Sequence, residues 1–389
     1  MKKTLIIFLV FICISLCVSA AEARKIKVGL FYNSTAKQSV NIVYDDKTEI
    51  ITEPAVIASE NPIKVEGKQY RGSIIIEKNS EGKLVVINEV DIEDYVASVI
   101  SKEMSPSFNI EALKAQAVCA RTYALSNLGK HRKYGFDLCA TEDCQVYGGV
   151  DSEHKNTNTA TEQTKGKVLK YDGEFAETVY FATSGGYTEN AKDVWGNSIP
   201  YLQSVEDKYE SKSVYASTWT KTITAQKATE ILTNKGYNIG NVISIEIVNK
   251  TESGSVTRLK VKGDKGEKVF TNESCRTLFG YGMLLSQAYS VSGNGAAPKL
   301  FAHSGVVDTS KLTLLSSGGK TSFSGKALNL KGSEELCFQI SSSTCEFVFT
   351  GRGNGHLVGM SQNGANGMAQ AGFTYEQILT HYYKGTNLT

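Results

Sequence analysis

Proline is scarce in this sequence, 5 residues in 389, and a charge excess is missing: 42 basic side chains stand against 40 acidic ones. Non-specific nucleic-acid binding rests on a strong basic excess, so no nucleic-acid partner is expected. Repeats of 20–50 residues and low-complexity tracts are also absent, which excludes solenoids and disordered linkers. Beyond the N-terminus no second long apolar run occurs, so the bulk of the chain is expected to be soluble. Little proline, with 35 glycines and 19 tyrosines, suits a β-rich protein with many turns. A hydrophobic content of 41% over this length is ample for a core, divided between two domains.

What is present begins with Met1-Lys2-Lys3, then Leu5 to Val18 without a charge, then the small residues Ser19, Ala20, Ala21 and Ala23. This is the pattern of a secretory signal. Left uncut, Thr4 to Ala21 would serve as a membrane anchor. Either way the rest of the chain is expected outside the cytoplasm. Cys17 follows Leu16, where a lipoprotein site wants a small residue, so lipidation is not expected. Removal of Lys2 and Lys3 from 42 basic side chains leaves 40 against 40 acidic ones, a formally neutral exported chain. Export permits disulfides. Cys119 reads as a buried small hydrophobe, whereas Cys337 and Cys345 flank a strand-turn-strand and have the spacing of a hairpin bridge.

The expected fold class is α+β: a mixed, β-rich core with a central small-residue helix and a smaller inserted α+β lobe. Short alternating runs at Ile26–Phe31, Ser73–Glu77 and Leu84–Val90 predict an antiparallel β region over 24–90. Helical character starts at Ile92 and resumes from Ile110. Leu113, Ala117, Ala120 and Ala124 form a stripe of mostly small residues there, which permits close approach of another element. Strands and helices alternate from about 207 to 295, the expected lobe. Strands recur at Lys326–Leu330, Leu336–Ile340 and Cys345–Phe349. A glycine-rich loop, 351–359, then leads into two helices.

Three constellations carry chemistry. Glu103 stands just before the Pro106 turn, with Lys114, Gln116, Arg121 and Tyr123 on the helix behind it. A partly buried glutamic acid with a raised pKa can protonate a glycosidic oxygen, although a helix-terminal, ion-paired glutamate would look the same in sequence. The second constellation is Gly351 to Ala369, where alternate glycines allow close backbone approach and His356, Ser361 and Gln362 offer polar groups for sugar hydroxyls. It lacks the GK[ST] ending of a phosphate loop, and no GxSxG nucleophile elbow is present. The third is His131, Cys139 and Cys144, which match three ligands of a zinc site; a Cys139–Cys144 disulfide fits the same spacing.

Together these segments resemble the SpoIID/LytB family of stage II sporulation protein D and the amidase enhancers. The resemblance is carried by Glu89-Val-Asp-Ile-Glu-Asp-Tyr-Val through Glu103-Met and by Glu111-Ala-Leu-Lys-Ala-Gln-Ala-Val-Cys-Ala-Arg-Thr-Tyr-Ala. It continues through Cys144-Gln-Val-Tyr-Gly-Gly, Thr183-Ser-Gly-Gly-Tyr-Thr-Glu and Gly355-His-Leu-Val-Gly-Met-Ser-Gln-Asn-Gly-Ala. Asn354 and Leu357 stand where many relatives have an aromatic residue and a glycine. Residues 1–23 are thus expected as signal or anchor and 24–90 as a β-rich region, while the resemblance, from about residue 85 to the C-terminus, implies 91–389 as the catalytic domain. It implies a lytic transglycosylase acting on peptidoglycan glycan strands stripped of stem peptides, in forespore engulfment. An amidase and membrane proteins of an engulfment complex are the implied partners, and Zn2+ at His131, Cys139 and Cys144 the implied cofactor. Glu103 is the implied catalytic acid/base. Lys114, Gln116, Arg121, Tyr123, Gln145, Tyr147, Ser184, Tyr201, His356, Ser361 and Gln362 are candidates for positioning the strand. The alternative implied by LytB-like relatives is a non-catalytic activator of an N-acetylmuramoyl-L-alanine amidase.

Overall fold

The computed structural model describes residues 24–211, 213–294 and 345–389, together with the backbone of short strands between 299 and 340. The N-terminal signal or anchor segment and Cys337 lie outside the described residues. The architecture is mixed α+β.

The first sheet has the strand order 55–58, 73–78, 84–91, 25–31 and 138–139, antiparallel except for the last pair. Strand Leu84–Asp91 is buried along most of its length rather than on alternate residues. The reason is that both its faces are covered: Val86 and Val90 meet the helices, whereas Val85 and Ile87 meet Phe136 and Cys139. A small four-stranded sheet, ordered 47–51, 40–44, 63–65 and 68–70, packs beside it.

Helix α1 (Ile92–Glu103) starts directly from that sheet, capped by the Asp91 carboxylate accepting from the Glu93 N–H. Helix α2 (Ile110–Ser126) is capped in the same way by Asn109. The small-residue stripe places α2 at the centre, packed against α1, α3 (Lys155–Gln163) and two C-terminal helices. Leu113, Ala117, Ala120 and Ala124 are fully buried. Cys119 is buried with them, its thiol donating to the Tyr383 hydroxyl at 3.4 Å.

A short helix α4 (Ala191–Trp195) precedes a second hydrophobic core that runs from Ala216 to Tyr289 and takes in Phe347 and Phe349. Around it lie α5 (Ala225–Asn234), the single turn α6 (Ser274–Thr277), and two three-stranded sheets. One is ordered 218–224, 346–352, 289–294, the other 242–250, 256–263, 267–271. The chain then returns to the first core. Met360–Ser361 pairs in parallel with Tyr180–Phe181, and α7 (Gln362–Gln370) and α8 (Tyr375–Tyr382) follow. That pairing brings two segments 180 residues apart in sequence to the end of α1.

Candidate active site and metal cluster

Glu103 is the last residue of α1, before a Met104 C-cap in extended backbone. The helix thus ends where the chain turns at Pro106, and the carboxyl projects into a cavity of about 440 Å³. Its walls are Lys102, Tyr123, Glu142, Cys144, Gln145, Val146, Val179, Tyr180 and His356. Five stretches contribute: α1, α2, the loop after Cys139, the 179–180 segment and the segment at 356.

Burial raises the Glu103 pKa, since a charged carboxylate loses hydration there. The polar groups of the Val146 backbone and of the Gln362 and Tyr180 side chains favour the carboxylate and pull the other way, while the Glu142 charge adds to the rise. His356 is pushed down to about 4 by burial and by the Arg276 charge, so its imidazole is neutral near pH 7. Its Nδ1 accepts from the Val358 N–H at 3.1 Å, which fixes the proton on Nε2. The ring is flanked by Phe181 and Trp195.

Leu357, at the position where relatives are expected to carry glycine, has φ of 66° and is fully buried. A left-handed conformation costs a leucine roughly 1–2 kcal/mol, whereas truncating a buried leucine costs about 2–5 kcal/mol. Its packing with Phe181 and Ala288 therefore outweighs the backbone cost.

Of the sequence-predicted residues, Glu103, Tyr123, Gln145 and His356 line the cavity, and Gln362 reaches it through Glu103. The others lie elsewhere. Arg121 is 1% exposed and grips the Glu93 carboxylate with two hydrogen bonds, 2.9 and 2.5 Å. Gln116 is wholly buried in α2, and neither of its amide atoms has a hydrogen-bond partner. Lys114 pairs with Glu111 at 2.7 Å. Tyr147 packs between Tyr70 and Tyr95 and donates to Asn88 Oδ1 at 2.8 Å. The Tyr201 hydroxyl accepts from the Glu177 N–H. Ser184 and Ser361 both donate to Glu210, a buried carboxylate, and Ser361 also caps α7. Gln116 apart, these groups have internal partners, so their part is to hold walls in place. Sequence reasoning missed Tyr180, although it stands three residues before the Thr183-Ser-Gly-Gly motif it quoted.

Beside the cavity, donor atoms of His131, Cys139, Asp143 and Cys144 lie within 4.8 Å of one another. Strand Leu138–Cys139 is held by parallel pairing to Val28–Gly29, and His131 stacks on Phe136. Cys144 Sγ is 3.3 Å from His131 Nε2, which is 3.1 Å from Asp143 Oδ2; Cys139 Sγ stands 4.0 Å from that same oxygen. Around a tetrahedral zinc ion with bonds of about 2.0–2.3 Å, ligand atoms are roughly 3.3–3.8 Å apart. The four groups fit such an ion in donor chemistry and spacing, and Asp143 adds a carboxylate to the three ligands read from the sequence. As free thiols the two sulfurs share a hydrogen bond that holds Cys139 down, to about 4, and pushes Cys144 up.

Residues 80–171 match the family model described as stage II sporulation protein. An amidase enhancer of Bacillus subtilis is 33% identical over 86% of this chain, which spans only 46% of that longer protein. Stage II sporulation protein D of Bacillus subtilis is 28% identical over 91% of this chain and 88% of its own length. An uncharacterised protein of Brachyspira hyodysenteriae is 29% identical over 87% of this chain and 77% of its own.

Proposed function

This chain belongs to the SpoIID family, and on that footing we propose that it acts on the cell wall in sporulation, as a lytic transglycosylase of peptide-free glycan strands. The observation that carries the reading is one glutamic acid, Glu103, at the wall of a cavity where burial favours its protonated form. A general acid near neutral pH needs that environment.

The Glu103 proton passes to the glycosidic oxygen as its bond to C1 of N-acetylmuramic acid breaks. The carboxylate so formed then takes the proton of that sugar's own C6 hydroxyl, whose oxygen bonds to C1 and closes a 1,6-anhydro ring. One carboxyl serves both steps. An intramolecular attack has a high effective concentration and needs neither water nor a carboxylate nucleophile, unlike the two-carboxylate scheme of most glycosidases. The polar groups of Val146, Gln362 and Tyr180, which favour the carboxylate, stabilise the ionised intermediate state of Glu103. Neutral His356, Tyr123 and Gln145 line the cavity and offer hydrogen-bonding groups to sugar hydroxyls. Zn2+ at His131, Cys139, Asp143 and Cys144, when bound, would cross-link the loop that forms one cavity wall. Its part is structural.

The reading places the protein outside the cytoplasm, in company with an amidase that strips the strands. Among the described residues no helix is long and apolar enough to cross a membrane. Similarity to an amidase enhancer supports a second reading, a wall-binding activator without chemistry of its own. Digestion of purified peptide-free strands, with mass analysis of the products, separates them. Wild type is expected to release anhydro-ended fragments and Glu103→Gln none. Absence of cleavage by folded wild type, with stimulation of an amidase instead, would establish the activator.

A further inference from the structure

We infer that Lys102 is the residue that distinguishes a stripped strand from an unstripped one, by pairing its ammonium with the bare lactyl carboxylate of N-acetylmuramic acid. The inference deepens the reading of Glu103 as the acid/base and rests on it.

An amidase that removes a stem peptide hydrolyses an amide. What it leaves on O3 of the sugar is a lactyl carboxylate, an anion where an unstripped strand has a neutral amide. O3 belongs to the same ring as the C1 whose bond breaks, two carbons away. A protein that prefers stripped strands therefore has use for a cation close to its acid. Lys102 is next to Glu103 in the last turn of α1. Of the side chains that line the cavity it alone carries a positive charge, since His356 is neutral.

The fold lays the lysine stem along the cavity wall. Gly148 stands beside it, and a Cβ there would be 2.8 Å from Lys102 Cε and 2.8 Å from Ser152 Cβ, closer than carbon atoms pack. The glycine thus leaves the space that the methylenes fill. The Ser98 hydroxyl accepts from the Gly148 N–H at 3.2 Å, which ties this floor to α1. Other lysines nearby are paired, Lys114 with Glu111 and Lys130 with Asp143. Among the described residues Lys102 has no such partner, although Glu142 lines the same cavity. A lysine in the last turn also suits the helix dipole. That accounts for its charge but not for its place against Gly148 at the cavity. Glu142, and Glu103 once it has given up its proton, repel a lactyl carboxylate, and Lys102 offsets that repulsion.

Stripped strands are compared with the same strands after their lactyl carboxylates are converted to methylamides, which are uncharged and similar in size. Wild type is expected to favour the carboxylate strands about fivefold in kcat/KM, the range of a solvent-exposed ion pair. The difference is expected in KM rather than kcat, because the pair forms in substrate and transition state alike. Salt of about 0.5 M is expected to shrink it. Lys102→Met keeps the methylenes over Gly148 and drops the charge, and its preference is expected to fall to within about 1.5-fold. Lys102→Arg is expected to retain the preference. Binding of both strands to Glu103→Gln, with and without Lys102→Met, reads the same discrimination as a ratio of Kd values without turnover. Folded Lys102→Met that discriminates as wild type does overturns the inference, and so does a wild type without preference. If wild type cleaves neither strand, the transglycosylase reading fails on its own. The Kd ratio then still decides Lys102: a preference lost in Lys102→Met upholds the pairing, and an absent or unchanged one overturns it.

Discussion

Among single residues, the least comfortable is Asp207. It is 1% exposed, neither carboxyl oxygen has a well-formed hydrogen bond, and Glu210 lies close by. Burial, then the Glu210 charge, raise its pKa to about 6. An acid whose pKa is higher folded than unfolded, where it is about 3.9, binds its proton more tightly in the fold. The stability it contributes is therefore complete below about pH 4 and lost as pH rises through about 6. Asp207→Asn removes the ionisation and is expected to raise Tm at pH 7.5 by an amount corresponding to about 2–3 kcal/mol. At pH 4 it is expected to have little effect. Thermal melts at the two pH values check this, and equal shifts at both would rule out the ionisation argument. None of this was legible in sequence, because nothing local marks Asp207 as buried. Arg121 is different. The sequence put it among the candidates for positioning the strand, whereas the structure buries it, four residues from Ala117 on one face of α2, in an ion pair with Glu93. Glu103 was legible because a helix ending before Pro106 and the surrounding motif mark it together.

At the scale of elements, the long periodic ones were readable and the short ones were not. α2 declared itself by a stripe of small residues, whereas strand Lys47–Ile51 has no buried residue and so no alternation to read. The last helix of the expected lobe is only the turn Ser274–Thr277, directly after the short strand 267–271. Loop 131–144 is the element whose order depends most on side chains. Its regular structure is one 3-10 turn and a two-residue strand. Yet Glu142 and Cys144 from this loop form part of the cavity wall. A metal that binds the folded state alone stabilises it by mass action. Purified protein is expected to carry about one zinc per chain, and chelation or Cys139→Ser is expected to lower both Tm and glycan cleavage. Release of two titratable thiols on chelation distinguishes this from a disulfide, which yields none before reduction. Protein that contains no metal, and whose Cys139→Ser variant melts as wild type does, would exclude the zinc site.

For the molecule as a whole, the question is how a lobe with its own core stays fixed to a site built by the other. Arg352 is the joint. Its guanidinium donates to the carbonyls of Ser184 at 2.6 Å, Tyr187 at 3.1 Å and Ser253 at 2.5 Å, and lies 3.9 Å from the Glu189 carboxylate. Glu189 is fully buried and takes the hydroxyls of Ser253 and Thr251, both on the lobe's 251–255 turn. Its N–H donates to the Leu357 carbonyl at 2.6 Å, one residue from His356. The same contacts that anchor the lobe thus brace the cavity wall. The motifs at 183–189 and 351–369 contain Arg352, Ser184, Tyr187 and Glu189, but not their pairing, because most of the contacts are to backbone carbonyls, which any residue supplies. Arg352→Ala leaves those carbonyls without a donor and Glu189 without its cation, a loss of the kind that costs about 3–5 kcal/mol when a buried ion pair is broken. Because the two cores are separate, that loss is expected to fall on their junction. Hydrogen exchange is expected to accelerate at 184–189 and 249–257, with residues 92–126 protected as in wild type. Glycan cleavage is expected to fall through misplacement of the 356–362 segment, with Glu103 itself intact. Uniform loss of protection across both cores would mean that they unfold as one unit and that Arg352 is not the joint between them.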